Sequence, residues 1–148
     1  MKAYLKRDIA KKLGKTPKTI QTWTDIGLVN PDLIPSQGKG ISRVYSSLNL
    51  LQFAFADELL KCRGMSLPCI KWVMDELRSK TTDEESFKKA TERNPEGDLL
   101  IEGDLVSPAS FTWRRSGSYE NPLIHFIQSP AYYVINISIV IENAKKRL

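Results

Sequence analysis

Thr16-Pro17-Lys18-Thr19-Ile20-Gln21-Thr22-Trp23-Thr24-Asp25-Ile26-Gly27-Leu28-Val29 decides how the first third of this chain is read. Thr16 is an N-cap residue type, because its hydroxyl can accept a backbone N–H left free at a helix start. Pro17 has its φ preset for the first helical position. The helix so opened runs through Asp25, and Gly27 ends it before the apolar pair Leu28-Val29. Upstream, Leu5, Ile9, Ala10 and Leu13 recur at helical spacing, with Lys6, Lys11, Lys12 and Lys15 on the other side and Gly14 just past the end.

Two helices joined by a short turn, the second sharply capped, resemble a helix-turn-helix. Beyond them, Leu33-Ile34-Pro35 and Ile41-Ser42-Arg43-Val44-Tyr45 flank Ser36-Gln37-Gly38-Lys39-Gly40, which predicts a hairpin with a basic, flexible tip. Ser46 or Ser47 caps a third helix whose apolar positions are Leu48, Leu51, Phe55, Leu59 and Cys62, and Gly64 terminates it. Ser66 caps a fourth, with Pro68 in its first turn and Ile70, Val73, Met74 and Leu77 as its stripe. These two helices are expected to cover the backs of the first two.

The remainder has another character. Thr82-Asp83-Glu84-Glu85 is a capping-box pattern opening a short polar helix to about Thr91, and Asn94-Pro95-Glu96-Gly97-Asp98 is a turn. β-type runs follow at Leu99–Ile101, Ser110–Trp113, Leu123–Ile127 and Tyr132–Ile137, and a terminal helix spans Ser138–Leu148. The expected organisation is a mainly α, winged helix-turn-helix unit at 1–79, a short helix and linker at 80–98, and a small α+β module at 99–148.

Bulk numbers narrow the function. At 148 residues, 41% hydrophobic and 26% charged, the chain has ordinary globular composition. No apolar run reaches the roughly 18 residues of a membrane span, and the first residues lack the apolar stretch of a secretory signal, so a cytoplasmic location is expected. The net charge of +5 is uneven: residues 1–45 hold nine Lys/Arg against three Asp/Glu (+6), 46–79 four of each (0), and 80–148 nine against ten (−1). A basic first third on a neutral body points to a nucleic-acid or anionic-membrane partner, the alternative being a solubilising face. The sequence offers no Ser-His-Asp or Cys-His set, no phosphate-cradling Gly loop and no paired carboxylates with an acid–base partner, so no catalytic residues, metal or cofactor are assigned. Cys62 and Cys69 are too few for a closed metal site and fall on an apolar stripe and a helix start, which favours core packing.

Three stretches together are similar to the DNA-binding domain of the MerR family of transcriptional regulators: the run 16–29 to the recognition helix, Gly40-Ile41-Ser42-Arg43-Val44-Tyr45-Ser46 to the exit of the wing, and Leu59-Leu60-Lys61-Cys62-Arg63-Gly64-Met65-Ser66-Leu67-Pro68-Cys69-Ile70 to the following helix-Gly-turn-helix. The resemblance implies a homodimer on a pseudo-palindromic promoter site, with RNA polymerase as a further partner there, and regulation by distorting DNA between promoter elements. It departs from the family at Gln21, Thr22 and Trp23, where an Arg and two aromatics are common. It departs again at Asn94-Pro95-Glu96-Gly97, which interrupts the family's long dimerisation helix.

The expected DNA-contacting set is Thr16, Lys18, Thr19, Gln21, Thr22, Lys39, Arg43 and Tyr45. Thr16, Lys18 and Thr19 sit at a helix N-terminus, whose free N–H groups and positive dipole end suit a phosphate; Thr19 either donates to it or only caps. Gln21 either reads adenine by two hydrogen bonds or is solvated. Trp23 is expected in the core. Arg43 and Tyr45 share a strand face, which the resemblance turns toward the DNA backbone, and Lys39 at the tip reaches backbone or minor groove. Ile137, Val140, Ile141, Ala144 and Leu148 form a terminal stripe assigned to dimerisation. The module at 80–148 would dimerise, bind a small-molecule effector of unknown identity, or both; its aromatics fill a small core or line a pocket. The alternative function is an architectural DNA-binding accessory factor of excision or partition type, without effector.

Overall fold

The computed structural model describes residues 2–34, 42–61, 65–80, 99–104, 112–115 and 132–148; for 80, 99–104, 112–115 and 132–138 it describes the backbone alone. The chain order is β1 (Tyr4–Leu5), α1 (Lys6–Leu13), α2 (Pro17–Asp25), β2 (Val44–Tyr45), α3 (Ser47–Lys61), α4 (Leu67–Lys80), β3 (Leu99–Asp104), β4 (Thr112–Arg115), β5 (Tyr132–Asn136) and α5 (Ile137–Lys146).

The caps explain the first helix pair. Gly14 sits in the left-handed region at φ 64° just past α1, where only a residue without a Cβ does so cheaply. The N–H of Lys15 then reaches back to the carbonyl of Ala10 at 2.8 Å. Gly27, at φ 77°, repeats the device after α2, with the Leu28 N–H on the Trp23 carbonyl at 2.9 Å. Thr16 caps α2 as expected: its hydroxyl accepts the Thr19 N–H at 3.1 Å.

Leu5 is not the first apolar residue of α1. It belongs to β1, which pairs antiparallel with β2 in the register Tyr4–Tyr45 and Leu5–Val44. Val44 also exchanges two backbone hydrogen bonds with Ile34, at 3.1 and 3.2 Å, so it is the middle residue of a three-stranded patch. The expected hairpin is present at that base; its tip, including Lys39 and Ile41, lies outside the described residues.

α3 is the centre of the molecule. Leu48, Leu50, Leu51, Phe53, Ala54, Phe55, Ala56 and Leu59 are all buried, which covers every side of the helix rather than one stripe. Ser46 caps it, its hydroxyl accepting the Asn49 N–H at 3.2 Å. Buried Asn49 holds the turn before the wing, donating to the Asn30 carbonyl at 2.9 Å and accepting the Asp32 N–H at 3.1 Å. α1, α2 and α4 contribute Ile9, Leu13, Ile20, Trp23, Ile70, Val73, Met74 and Leu77 to one core with it, and Cys69 is buried among them. Cys62 lies outside the described residues.

α5 supplies the other cover. Val140, Ile141 and Ala144 are buried in the same core. The terminal stripe assigned to dimerisation is thus largely consumed inside the protomer: α3 presents apolar residues on its far side, and α5 fills them. Leu148 is 41% exposed. Between α4 and α5, β3 is the middle strand of an antiparallel sheet in the order β4-β3-β5. The register runs Leu99–Arg115 to Glu102–Thr112 on one side and Leu100–Asn136 to Asp104–Tyr132 on the other. The expected helix at 82–91 and strand at 123–127 lie outside the described residues.

Candidate nucleic-acid interface

The exposed face of α2 and the outgoing strand of the wing meet in a network of four side chains. Arg43 lies just before β2, and its Nη1 donates to Asp25 Oδ1 at 2.6 Å. Gln21, one turn before Asp25, donates its Nε2 to the same carboxylate at 3.0 and 3.1 Å. On the other end of the amide, Oε1 accepts from Lys6 Nζ of α1 at 2.9 Å. The bonds from Gln21 and Arg43 hold the Asp25 carboxyl below its ordinary range. Reciprocally, Asp25 raises the pKa of Arg43. The cluster stays charged at neutral pH, and a cation from the wing is held against α2.

The N-terminus of α2 lies on the same helix. Pro17 has no N–H, and the Thr19 N–H is taken by Thr16, so among the described residues the open backbone donor of this first turn is Lys18. Lys18 itself is exposed. The Thr16 and Thr19 hydroxyls bond each other at 3.0 Å, which makes Thr19 part of the cap. Thr22 is exposed, and its hydroxyl donates to the Lys18 carbonyl at 3.0 Å.

Tyr45 does not reach this surface. It is fully buried, its ring edge-on to Phe53 at 5.5 Å and its hydroxyl 3.0 Å from that of Thr24. Arg43 and Tyr45 do share a strand face, and that face points at α2. One position reaches the rim and the other the core. Tyr45 is therefore a core residue, where its side chain has no exposed surface to offer a ligand. Trp23 is in the core as expected, stacked on Phe53 at 6.3 Å.

The sequence reading missed Asp25 and Lys6. Gln21 and Asp25 are four apart on a helix, a spacing that brings side chains together and was available as a signal. The approach of Arg43 and Lys6 comes from tertiary packing and has no local signature. Also missed was Arg78 of α4, which donates to the Leu28 and Gly27 carbonyls at 2.8 and 3.0 Å and pins the turn that follows α2.

A second charged cluster fixes the turn between α1 and α2 from behind. Asp57 of α3 is buried, yet it meets Lys15 Nζ at 2.8 Å and Arg147 Nη1 at 2.7 Å. Arg147 also reaches Glu58 at 2.6 Å and the Leu13 carbonyl at 3.3 Å. Burial pushes the Asp57 carboxyl up, but the bonds from Lys15 and Arg147 outweigh it and leave it below its ordinary value. The end of the chain is thereby tied to the helix-turn-helix.

Two helices with a tight turn, a capped second helix and a β-strand bringing a cation onto its exposed face define a winged helix-turn-helix, a DNA-binding class. Residues 5–77 match the model of the MerR HTH family regulatory protein and form a MerR-family helix-turn-helix domain. The domain is one of DNA binding and transcription regulation. No curated protein matches the chain. Among the described residues no helix is long and apolar enough to cross a membrane.

Proposed function

We propose that the protein is a sequence-specific transcriptional regulator that binds promoter DNA as a homodimer through the α2 face and the wing. The observation that carries this reading is the convergence of Arg43 and Gln21 on one exposed surface, beside the Lys18 end of α2. Arg43 and Lys18 are backbone contacts, since a guanidinium fork and a helix-end cation both suit phosphate. Gln21 is the base-reading residue. Its amide keeps one hydrogen and one oxygen lone pair beyond those given to Asp25 and Lys6, which is the complement of adenine N7 and N6. Thr16 and Thr19 shape the helix end, Thr22 lies beside them, and Lys39 adds a cation at the wing tip.

The same reading makes the protein a regulator rather than an enzyme, acting on chromosomal DNA in the cytoplasm, with RNA polymerase at the same promoter. The module at 80–148 carries dimerisation, a small-molecule effector site, or both. With most of the α5 stripe packed inside the protomer, the dimer contact belongs to other residues of that module. Footprinting of the full-length protein on the DNA upstream of its own gene tests the proposal. The expected result is two protected half-sites related by a two-fold axis. Uniform protection at all positions would instead support the architectural reading.

A further inference from the structure

Residues 1–45 carry three acidic side chains, and two of them have evident local tasks. Asp8 accepts the Leu5 N–H at 2.9 Å at the start of α1. Asp32 accepts from the Ser46 N–H at 3.1 Å before α3. Asp25 is different: it accepts hydrogen bonds from Gln21 and Arg43, the two residues assigned above to the bases and to the backbone. Its side chain is 48% exposed, against 24% for Arg43. A carboxylate there opposes phosphate binding twice, by its own charge and by occupying the guanidinium.

We propose that Asp25 is a specificity-determining residue: in the free protein its carboxylate holds Arg43 in place of a phosphate, and on DNA it gives Arg43 up only where the N4 amino group of a cytosine replaces it. The inference rests on the interface reading of Gln21 and Arg43. An ionised carboxylate only accepts hydrogen bonds. In the major groove guanine shows N7 and O6 and thymine shows O4, all acceptors, so these edges repel it. Cytosine shows only the N4 donor, which satisfies it. Adenine sets an acceptor beside its amino group, an arrangement that suits the amide of Gln21 instead. On a non-cognate sequence Arg43 stays with Asp25, because leaving would take the bonded cation from a carboxylate set among phosphates and leave it only the neutral Gln21 amide. On a cognate cytosine Arg43 is released to the backbone. Base identity at one position is thereby converted into one additional phosphate contact.

The test compares wild type, Asp25→Asn and Arg43→Ala on two duplexes of equal length, one selected by the wild type from a randomised library and one of random sequence, each over a salt series. Both substituted side chains lie at the surface, and circular dichroism confirms that the variants keep the fold. For the wild type, log K against log salt is expected to be steeper on the selected duplex by roughly one unit. Asp25→Asn is expected to bind the random duplex about threefold more tightly or better, to show equal slopes on the two duplexes, and to select from the library without a cytosine preference at that position. If Arg43→Ala leaves binding to both duplexes unchanged, the interface reading and this inference fall together. If Arg43→Ala weakens binding while Asp25→Asn keeps the wild-type affinities, slopes and base preference, the interface stands and the inference is overturned.

Discussion

Replacing Asp57 with Asn should cost about 2–3 kcal/mol of folding stability at pH 7. The change keeps the size of the side chain and removes its charge. Asp57 is only 2% exposed, and its two oxygens are each engaged by a cation, Lys15 at 2.8 Å and Arg147 at 2.7 Å. An asparagine has one oxygen, so one cation must face an N–H₂ group and lose its bond. The other bond falls from charge-assisted to neutral. Two charged hydrogen bonds at roughly 1.5–3 kcal/mol each set the upper bound. The bound is discounted because the Lys15 and Arg147 side chains are 33% and 29% exposed and regain water. For a chain of this size the melting temperature should fall by about 5–10 °C. Urea titration followed by the fluorescence of Trp23 and Trp72 measures the difference. Because the folded Asp57 carboxyl lies below the ordinary value of 3.8, its contribution is complete above that value. It is lost as pH falls from there through the folded pKa. The gap between wild type and Asp57→Asn should therefore be full at pH 7 and shrink at acid pH. Equal stability at pH 7, or a gap that does not change on acidification, would refute the reasoning.

Arg78→Ala should cost about 1.5–3 kcal/mol in the same titration, because the Gly27 and Leu28 carbonyls lose a charged donor; an unchanged urea midpoint would remove Arg78 from the turn. Ile141→Ala should cost about 2–5 kcal/mol, since the residue is 1% exposed in the shared core, and a loss under 1 kcal/mol would detach α5 from α3. Limited proteolysis should cut between Ser79 and Asp98, where capping, charged and turn residues concentrate, and cleavage confined to the termini would contradict a boundary there.

What the sequence disclosed, and what it withheld, divides along the reach of each interaction. The ends of α1 and α2 are written in residues next to the structure they specify: Thr16 and Pro17 open a helix, and Gly14 and Gly27 close one. β1 has no such signal, since two residues become a strand only because Val44 and Tyr45 arrive beside them. The apolar spacing of α3 suggested one buried stripe. In fact α2 and β2 cover Phe53 on one side while α5 packs against the helix as well, and Leu50, Phe53 and Ala56 are buried too. Alternation placed Arg43 and Tyr45 on one face but said nothing of depth, and two positions along the strand separate a rim cation from a core phenol. The α5 stripe was legible as apolar; whether it met its own chain or another depended on a partner surface 80 residues away. At the interface, the capping and basic residues of α2 were legible. Asp25, the acid that organises them, read as an ordinary helix-end residue until Arg43 was placed against it.

The central claim is that α2 and the wing form one DNA surface, with Arg43 on the backbone and Gln21 on the bases. Salt titrations of Arg43→Ala and Gln21→Ala on a cognate and a scrambled duplex test it most directly. Phosphate contacts carry affinity for any sequence, and base-edge contacts discriminate. Arg43→Ala should weaken cognate binding and flatten its salt dependence by roughly one unit of slope, with a smaller loss and no change of slope on the scrambled duplex, where Arg43 stays with Asp25. Gln21→Ala should weaken cognate binding by about 1–3 kcal/mol and leave the scrambled duplex nearly unchanged. Unaltered affinities and slopes for Arg43→Ala, or equal losses on both duplexes for Gln21→Ala, would contradict the account.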